Sequence, residues 1–322
     1  MQKLINKKSF KLNEPRLSMW LVFYSCFTVR LFFYKLMFLN VANFKMIDVN
    51  SSIGVFDSGI GGLTVLRQLI RFMPDEHYIY LGDTARVPYG NKSQSIVRTY
   101  AEQFTRFLIA KNVKLIVVAC NTVSSVALDT VRNIAGDIEV IGMIEHTSYA
   151  ALRTTLNNKI GIIGTRATIN SNAYMEGIKS IPGGENMKII SQACPLFVPI
   201  VEEGLINHQI AYLAAQEYLS NLISENVDTI VLGCTHYPLL SRVISEIVPG
   251  ATLIDCGEHS SVAALRILAE KNLLRKQSAS INQKPEIEFY VTDIPSIFYE
   301  QAQRFLGFPI DTPKTIDFKD LV

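Results

Sequence analysis

The chain has 322 residues, of which 48% are hydrophobic, so it can bury one large core or two of moderate size. Its 31 basic and 29 acidic residues give a formal charge of +2. This balance provides no electrostatic footprint for a nucleic-acid backbone and favours a small molecule as the partner. The five cysteines are irregularly spaced and include no Cys-x-x-Cys pair, which is typical of reduced thiols in a cytoplasm.

Residues 1–45 differ in composition from the rest of the chain. A basic segment up to Arg16 precedes an apolar run over residues 17–39, and two cations interrupt that run. A membrane-spanning helix needs roughly 20 apolar residues, so a membrane span is not favoured, although a signal anchor has the same outline. We expect instead that the folded protein starts near Met46 and that residues 1–45 are an extension outside the fold.

From Ser52 onward, apolar runs of strand length alternate with amphipathic runs of helix length. This alternation predicts an α/β fold with mostly parallel sheets. Strands are predicted over residues 53–56, 78–81, 115–119, 140–143, 160–163, 188–191, 229–232, 252–254 and 287–291. Helices are predicted over residues 64–71, 93–111, 174–179, 209–225, 260–271 and 295–305.

A glycine-rich turn, Asp-Ser-Gly-Ile-Gly-Gly from Asp57 to Gly62, follows the first predicted strand. It is not a dinucleotide-binding fingerprint, because the third glycine of Gly-x-Gly-x-x-Gly would fall on Thr64. The backbone N–H groups of such a turn can hold a carboxylate, with Asp57 and Ser58 directed to the same sheet edge. The alternative role for Asp57 is to cap the helix that follows.

The loop Pro-Tyr-Gly-Asn, which contains Tyr89 and Gly90, follows the second predicted strand and an acidic turn at Asp83. Composition alone favours a tight turn here, and a loop that lines a ligand site is the alternative. The residues themselves leave this choice open.

Two predicted strands are each followed closely by a cysteine, Cys120 in the first half of the chain and Cys234 in the second. The carboxyl edge of a parallel sheet is where open α/β proteins bind ligands, and a helix N-terminus at that edge favours negative charge. We therefore expect both thiols to be placed to ionise. Two thiols that face each other across one cleft can remove a proton from one face of a carbon and return it to the other, as a racemase does. For each thiol the alternative is a small buried core residue, which is what we expect of Cys26, Cys194 and Cys256.

Polar side chains follow both cysteines. Asn121, Thr122 and Thr235 can each donate a hydrogen bond to a substrate or cap the following helix. His236 can lower the pKa of the Cys234 thiol or act as a general acid, and a purely structural histidine is the alternative. The chain's histidines lack the spacing of a metal-ligand set, so no metal site is expected.

A short internal repeat supports two similar halves. The run Ile-Gly-Val-Phe from Ile53 resembles Ile-Gly-Ile-Ile from Ile160, and each run precedes one of the two cysteine strands. The repeat predicts two α/β lobes related by a pseudo-two-fold axis, with the cysteines on opposite walls of the groove between them.

Four motifs together resemble the glutamate racemase family, and the likeness runs from about residue 53 to near the C-terminus. The motifs are Val-Phe-Asp-Ser-Gly-Ile-Gly-Gly from residue 55, Gly-Asp-Thr-Ala-Arg-Val-Pro-Tyr-Gly from residue 82, Ala-Cys-Asn-Thr from residue 119 and Gly-Cys-Thr-His-Tyr-Pro from residue 233. The resemblance implies cofactor-independent interconversion of L- and D-glutamate in the cytoplasm, with the D form supplied to peptidoglycan synthesis.

The resemblance also implies roles for individual residues. Cys120 and Cys234 match the two acid/base residues, with Asp57 assisting near the first and His236 near the second. The positions that match substrate-binding residues are Asp57, Ser58, Tyr89, Gly90, Asn121, Thr122, Thr235 and His236, with Glu202 as a further acidic position.

The family architecture implies a discontinuous first lobe, residues 53–143 plus 254–322, with residues 144–253 inserted as the second lobe. The active site is then expected in the cleft between them. Glutamate is the implied partner, with no nucleic acid, membrane, metal or cofactor, and a homodimer is left open.

Two alternatives remain at this point. A racemase of related fold that acts on aspartate or another carboxylate would use the same pair of thiols. A ligand-binding protein without catalysis would keep the cleft alone. A pyridoxal enzyme fits less well, because no lysine lies at a matching strand end.

Overall fold

The computed structural model of the protein describes residues 47–276, 285–317 and 319. The predicted extension over residues 1–45, including Cys26, lies outside these residues. Among the helices that are described, none has both the length and the apolar character needed to cross a bilayer.

Strands and helices alternate along the described chain as the sequence pattern predicts. The strands are β1 (Ile53–Asp57), β2 (Tyr78–Gly82), β3 (Leu115–Val118), β4 (Glu139–Ile141), β5 (Lys159–Gly164), β6 (Lys188–Ala193), β7 (Thr229–Gly233), β8 (Thr252–Asp255), β9 (Ile287–Val291) and β10 (Lys314–Thr315). The helices are α1 (Leu63–Phe72), α2 (Gln94–Ala110), α3 (Asn121–Val126), α4 (Leu128–Ala135), α5 (Ile144–Thr154), α6 (Arg166–Asn170), α7 (Ala173–Lys179), α8 (Phe197–Glu202), α9 (Gln209–Ser224), α10 (Ser241–Ile247), α11 (Cys256–Glu270) and α12 (Phe298–Leu306). Two 3₁₀ helices, Tyr89–Asn91 and Tyr237–Leu240, complete this set.

The described strands form two parallel sheets with related strand orders. The first sheet has the order β10-β9-β2-β1-β3-β4, and the second has the order β6-β5-β7-β8. The inner part of the first, β2-β1-β3-β4, therefore repeats in the second, and β9 and β10 extend only the first. The two sheets confirm the predicted α/β fold with two related halves. The exact lobe boundaries at residues 143 and 254 stay a prediction.

The central strands are buried along their whole length. Every residue of β1, β3 and β7 is buried, as expected for parallel strands covered by helices on both faces. Burying one large aliphatic side chain stabilises the folded state by about 1.5–3 kcal/mol. The buried strands therefore hold in place the polar residues that follow their carboxyl ends.

Most predicted elements are present, but several short helices were missed. The predicted strand over residues 140–143 ends at Ile141, because the Met143 N–H bonds the Ser124 hydroxyl at 3.1 Å instead of continuing the sheet. Helix α11 starts at Cys256, four residues earlier than predicted, because the Asp255 side chain accepts a hydrogen bond from the Gly257 N–H at 2.8 Å. The missed helices are α3, α4, α5, α6, α8 and α10.

A buried ion pair joins distant parts of the first sheet. Lys114 Nζ lies 2.6 Å from Glu76 Oε2, and both side chains are almost fully buried. The same ammonium donates to the Val49 and Leu273 carbonyls at 2.9 and 2.8 Å, and Glu76 Oε1 accepts from the Arg275 N–H at 2.9 Å. The pair thus connects the start of β3 to the segment before β1 and to the segment after α11.

We expect the substitution Glu76→Gln to lower the free energy of unfolding by about 3–5 kcal/mol, because it leaves the Lys114 charge buried without its partner. Glu102→Gln is the matched control, since it breaks the exposed pair between Glu102 and Arg106 and should cost less than about 1 kcal/mol. Chemical denaturation of both variants measures the difference. Equal losses in the two variants would contradict the prediction.

Candidate active site

The strand order places two crevices at the carboxyl ends of the sheets. In the first sheet, β1 connects to β2 on one side while β3 lies on its other side, which is a topological switch point where ligands bind in open α/β sheets. Asp57 ends β1 and Cys120 lies two residues beyond β3. In the second sheet, Thr165 follows β5 and Cys234 follows β7 in the same arrangement.

Residues from both crevices line one cavity of about 290 Å³. This volume is at the small end of the usual range for small-molecule sites. From the first sheet come residues of the Ser58, Tyr89 and Cys120 segments, and from the second those around Thr165 and Cys234. The cavity therefore lies between the two sheets, as the resemblance implied.

The Cys120 wall contains a short polar cluster. Cys120 precedes the first turn of α3, and its thiol donates to the Ser58 hydroxyl at 3.3 Å. Asp57 is 1% exposed and is absent from the cavity lining among the described residues. One of its oxygens, Oδ2, accepts from the Gly59 N–H at 3.0 Å, and the other has no hydrogen-bond partner among the described residues. Asp57 therefore supports the Ser58–Cys120 wall from inside the protein.

The Cys234 wall is built on a histidine and a glutamate. Cys234 Sγ lies 3.8 Å from His236 Nδ1, and His236 Nε2 lies 2.9 Å from Glu202 Oε1. A neutral ring that donates its Nε2–H to Glu202 presents the Nδ1 lone pair to the thiol. The carboxylate of Glu202, the imidazole of His236 and the thiol of Cys234 thus follow one another, and in this arrangement a carboxylate orients a base next to an acid or nucleophile. The cavity is lined by Glu202, while the neighbouring Glu203 is exposed.

Helix α12, from the C-terminal stretch, fixes this pair. The Phe305 ring packs edge-on against the His236 ring, with 5.0 Å between the ring centroids. Arg304 donates to the carbonyls of Val201 and Glu202 at 3.1 and 2.9 Å, at the C-terminus of α8. A guanidinium at a helix C-terminus satisfies carbonyls that the helix leaves open, so Arg304 anchors the helix that carries Glu202.

Burial governs the pKa of both thiols. Burial raises the pKa of Cys120 to about 11, the charge of Asp57 adds to the rise, and the hydrogen bond with Ser58 opposes it. Burial also raises the pKa of Cys234 well above its usual value, and the charges of Cys120, Asp57 and Glu202 act in the same direction. The expectation that strand-end positions alone favour ionisation is therefore wrong. Helix α3 is six residues long and Cys234 precedes a 3₁₀ helix, and neither terminus outweighs desolvation.

The same cause acts on Asp57. Burial raises the pKa of this carboxyl, while His236 in its protonated form and the N–H groups of Gly62, Gly59 and Ser58 oppose the rise. The glycine-rich turn therefore directs backbone N–H groups toward the protein's own carboxylate, and the N–H of Gly59 makes the hydrogen bond.

Tyr89 and Gly90 lie in a 3₁₀ turn that also lines the cavity, so the tight turn is present and ligand binding by this loop stays a prediction. The Tyr89 hydroxyl donates to the Asp83 carboxylate, which also accepts from Arg86 Nε at 2.6 Å and from the Thr292 hydroxyl at 2.9 Å. Gly90 lies against Thr165, where an added Cβ would come within 2.8 Å of the threonine Cβ. Only glycine allows this approach between the two sides of the cavity.

Three hydroxyl groups bridge the two walls. Thr122 Oγ1 lies 3.0 Å from Thr165 Oγ1, and Thr165 Oγ1 lies 3.0 Å from Thr168 Oγ1. Sequence reasoning missed Thr165 and Arg166, which both line the cavity. The internal repeat held the signal, because Thr165 follows Ile-Gly-Ile-Ile-Gly as Ser58 follows Ile-Gly-Val-Phe-Asp.

The predicted residues otherwise come together. Those that line the cavity are Ser58, Tyr89, Gly90, Cys120, Asn121, Thr122, Glu202, Cys234, Thr235 and His236. The glycine turn packs directly on the second wall, since a Cβ on Gly61 would lie 2.3 Å from Thr235 Oγ1. The Thr64 hydroxyl donates to the Thr235 carbonyl at 2.9 Å and closes the same junction. The catalytic and binding roles of these residues stay predictions.

Comparison with known families gives a consistent result. A model of the Asp/Glu/Hydantoin racemase family matches residues 53–262. The glutamate racemase of Chlorobaculum parvum is 47% identical over 258 residues, which cover 80% of this chain and 93% of that protein.

Solved structures show the same likeness. A crystal structure of glutamate racemase from Francisella tularensis in complex with D-glutamate is similar with a TM-score of 0.77 and 40% identity, covering 84% of this chain and 98% of that one. A glutamate racemase from Thermus thermophilus in complex with β-chloro-D-alanine has a TM-score of 0.74 and 38% identity, covering 85% and 99%.

The raised pKa of Cys120 predicts how fast the thiol reacts with iodoacetamide. Because only the thiolate reacts, its rate constant should rise about tenfold per pH unit between about pH 7 and pH 9, without a plateau. The substitution Asp57→Asn removes a neighbouring negative charge, so the whole curve should move to lower pH. Mass spectrometry of the Cys120 peptide measures both effects.

Asp129→Asn serves as the control, because Asp129 is exposed and paired with Arg98. A plateau near neutral pH in the parent protein, or equal shifts in both variants, would show that burial and Asp57 do not set this pKa.

Proposed function

The chain belongs to the Asp/Glu/Hydantoin racemase family, and we propose that it interconverts L-glutamate and D-glutamate with two thiols and no cofactor. The observation that carries the proposal is that Cys120 and Cys234 line one small cavity from two different sheets. Relatives at 44–47% identity named glutamate racemase support glutamate as the substrate.

In the proposed reaction, one cysteine acts as thiolate and takes the α-proton, and the other acts as thiol and gives a proton to the opposite face. The carbon regains four bonds with inverted configuration, and the two sulfurs have exchanged protonation states. The pair is thus a coupled acid/base system that needs no outside reagent. The reverse reaction uses the same residues in exchanged roles.

A bound amino acid favours ionisation of a buried thiol through its own positive charge. An amino acid brings an ammonium group, and an opposite charge close to a thiol lowers its pKa. We propose that a thiolate forms mainly when the substrate occupies the cavity. On the Cys234 side, His236 Nδ1 is the acceptor for the thiol proton, with Glu202 holding the ring.

Polar donors in the cavity suit a substrate with carboxylates. Asn121, Thr122, Thr165 and Thr235 each contribute a side-chain donor, and Arg166 contributes a positive charge. Donors held in place before the reaction stabilise charge that develops as the α-carbon loses its proton. We assign substrate binding to this set, together with Ser58 and the Tyr89–Gly90 turn.

We place the reaction in the cytoplasm and its product in peptidoglycan synthesis. The free thiols of Cys120, Cys194, Cys234 and Cys256 support a reducing compartment. A homodimer is compatible with this function, and the catalytic groups proposed above all come from one chain.

Solvent exchange tests the function directly. Purified protein without added cofactor should incorporate deuterium from D₂O at the α-carbon of glutamate while optical rotation decays, because the thiols exchange protons with solvent. Exchange with aspartate alone would favour the related racemase, and exchange with neither amino acid would favour a binding protein.

Single substitutions test the two-base scheme. Cys120→Ser and Cys234→Ser should each lower the rate of racemisation by roughly 10²- to 10⁴-fold, the usual contribution of a general acid or base. Each variant keeps one thiol, so we expect residual α-deuterium exchange with opposite enantiomers in the two variants. Chiral chromatography and NMR measure both quantities.

Cys194→Ala is the matched control, because Cys194 is buried yet absent from the cavity lining among the described residues. Its racemisation rate should stay within about twofold of the parent, as expected for a substitution away from the reacting groups. Near-parental rates in either serine variant would contradict the two-thiol scheme.

A further inference from the structure

A buried tyrosine behind the cavity contacts a site residue. Tyr174, on α7 of the second half of the chain, is 2% exposed. Its hydroxyl donates to Oδ1 of Asn121, the residue that follows Cys120. Tyr174 itself does not line the cavity among the described residues, whereas Asn121 does.

The hydroxyl of Tyr174 has a second polar neighbour. Cys256 Sγ lies 2.9 Å from this oxygen and donates to the Leu232 carbonyl at 3.2 Å. Leu232 belongs to β7, the strand that precedes Cys234. The chain from Asn121 through Tyr174 and Cys256 therefore reaches from the Cys120 wall to the strand of the Cys234 wall.

The hydroxyl of Tyr174 and the thiol of Cys256 both stay protonated near neutral pH. Burial raises the pKa of Tyr174 far above its usual value, and burial raises the pKa of Cys256 to about 12. The tyrosine is therefore a permanent hydroxyl donor, and the thiol occupies the neighbouring position as a neutral group.

A side-chain amide has an oxygen that accepts hydrogen bonds and an N–H₂ group that donates them. The orientation of the amide decides which of the two meets a ligand. Because Oδ1 accepts from Tyr174, the Nδ2 group is the part of the amide left to face the cavity that Asn121 lines. In the reverse orientation a carbonyl oxygen would face the cavity and repel a carboxylate. A buried donor that satisfies Oδ1 thus selects the orientation that suits an anionic ligand.

We propose that Tyr174 is a positioning residue that holds the Asn121 amide with its N–H₂ group toward a carboxylate of the bound amino acid. This inference rests on the proposed function, since it assigns a carboxylate-bearing substrate to the same cavity. Tyr174 acts only through Asn121 and does not touch the reacting atoms.

A double-mutant cycle tests the proposal with Tyr174→Phe, Asn121→Ala and the combined variant. Tyr174→Phe should raise the KM for both enantiomers of glutamate by roughly 3- to 10-fold, the value of one hydrogen bond, with kcat less affected. Once Asn121 is alanine, no amide remains to be oriented. The further change at Tyr174 should then alter KM by less than about twofold.

Tyr78→Phe is the matched control. Tyr78 is equally buried, and its hydroxyl donates to the Leu69 and Met73 carbonyls. It is the first residue of β2, at the end of that strand away from the carboxyl edge where the cavity lies. We expect this variant to lose thermal stability without a change in KM. Melting temperatures measured for all variants separate a loss of folded protein from a loss of substrate affinity.

The outcomes separate this inference from the proposed function. An active parent protein in which Tyr174→Phe leaves KM unchanged, or lowers activity equally with and without Asn121, would overturn the positioning role alone. A parent protein that neither racemises nor exchanges glutamate would overturn the proposed function, and the positioning role with it. A KM effect that disappears in the Asn121→Ala background supports both.

Discussion

Two buried thiols on opposite walls of one small cavity impose conditions on the groups around them. Desolvation disfavours the thiolate on both sides, and a charged Cys120 would also oppose ionisation of Cys234. Groups that compensate must therefore lie close by, and they do. Ser58 bonds Cys120, while His236 lies beside Cys234 and is held by Glu202. In the proposed function, the rest of the compensation comes from the ammonium group of the bound amino acid.

The fold meets these conditions by using one arrangement twice. The order β2-β1-β3-β4 and the order β6-β5-β7-β8 each create a crevice at the carboxyl ends of their central strands. Because the two crevices face each other, each contributes one thiol to the cavity. The residues around the two thiols do not have to be the same. Those supports differ: a buried aspartate and a glycine turn stand behind Cys120, whereas a histidine, a glutamate and helix α12 stand behind Cys234. Similar scaffolds with different supports can hold two cysteines in different protonation states.

Local sequence predicts the strands and the cysteine positions well, because continuous apolar runs leave few alternatives for a buried parallel strand. It fails where the outcome depends on contacts between distant segments. The ion pair of Glu76 with Lys114, the anchoring of α8 by Arg304 and the amide contact of Tyr174 each join residues far apart in the chain. The sequence also predicts a Cys120 thiol that ionises readily, whereas burial raises its pKa. A strand-end position can be recognised in a sequence, but the depth of burial cannot. Thr165 could have been found, since the repeat aligns it with Ser58.

The linked hydroxyls of Thr122, Thr165 and Thr168 have a property that amides and guanidinium groups lack. Each oxygen can be donor or acceptor, and a rotation about one C–O bond reverses its role while every heavy atom stays still. Such a chain of rotors can invert its direction as a whole. This cluster can therefore change which oxygen donates and which accepts by reorienting hydrogens alone, at the speed of side-chain rotation and with the backbone at rest.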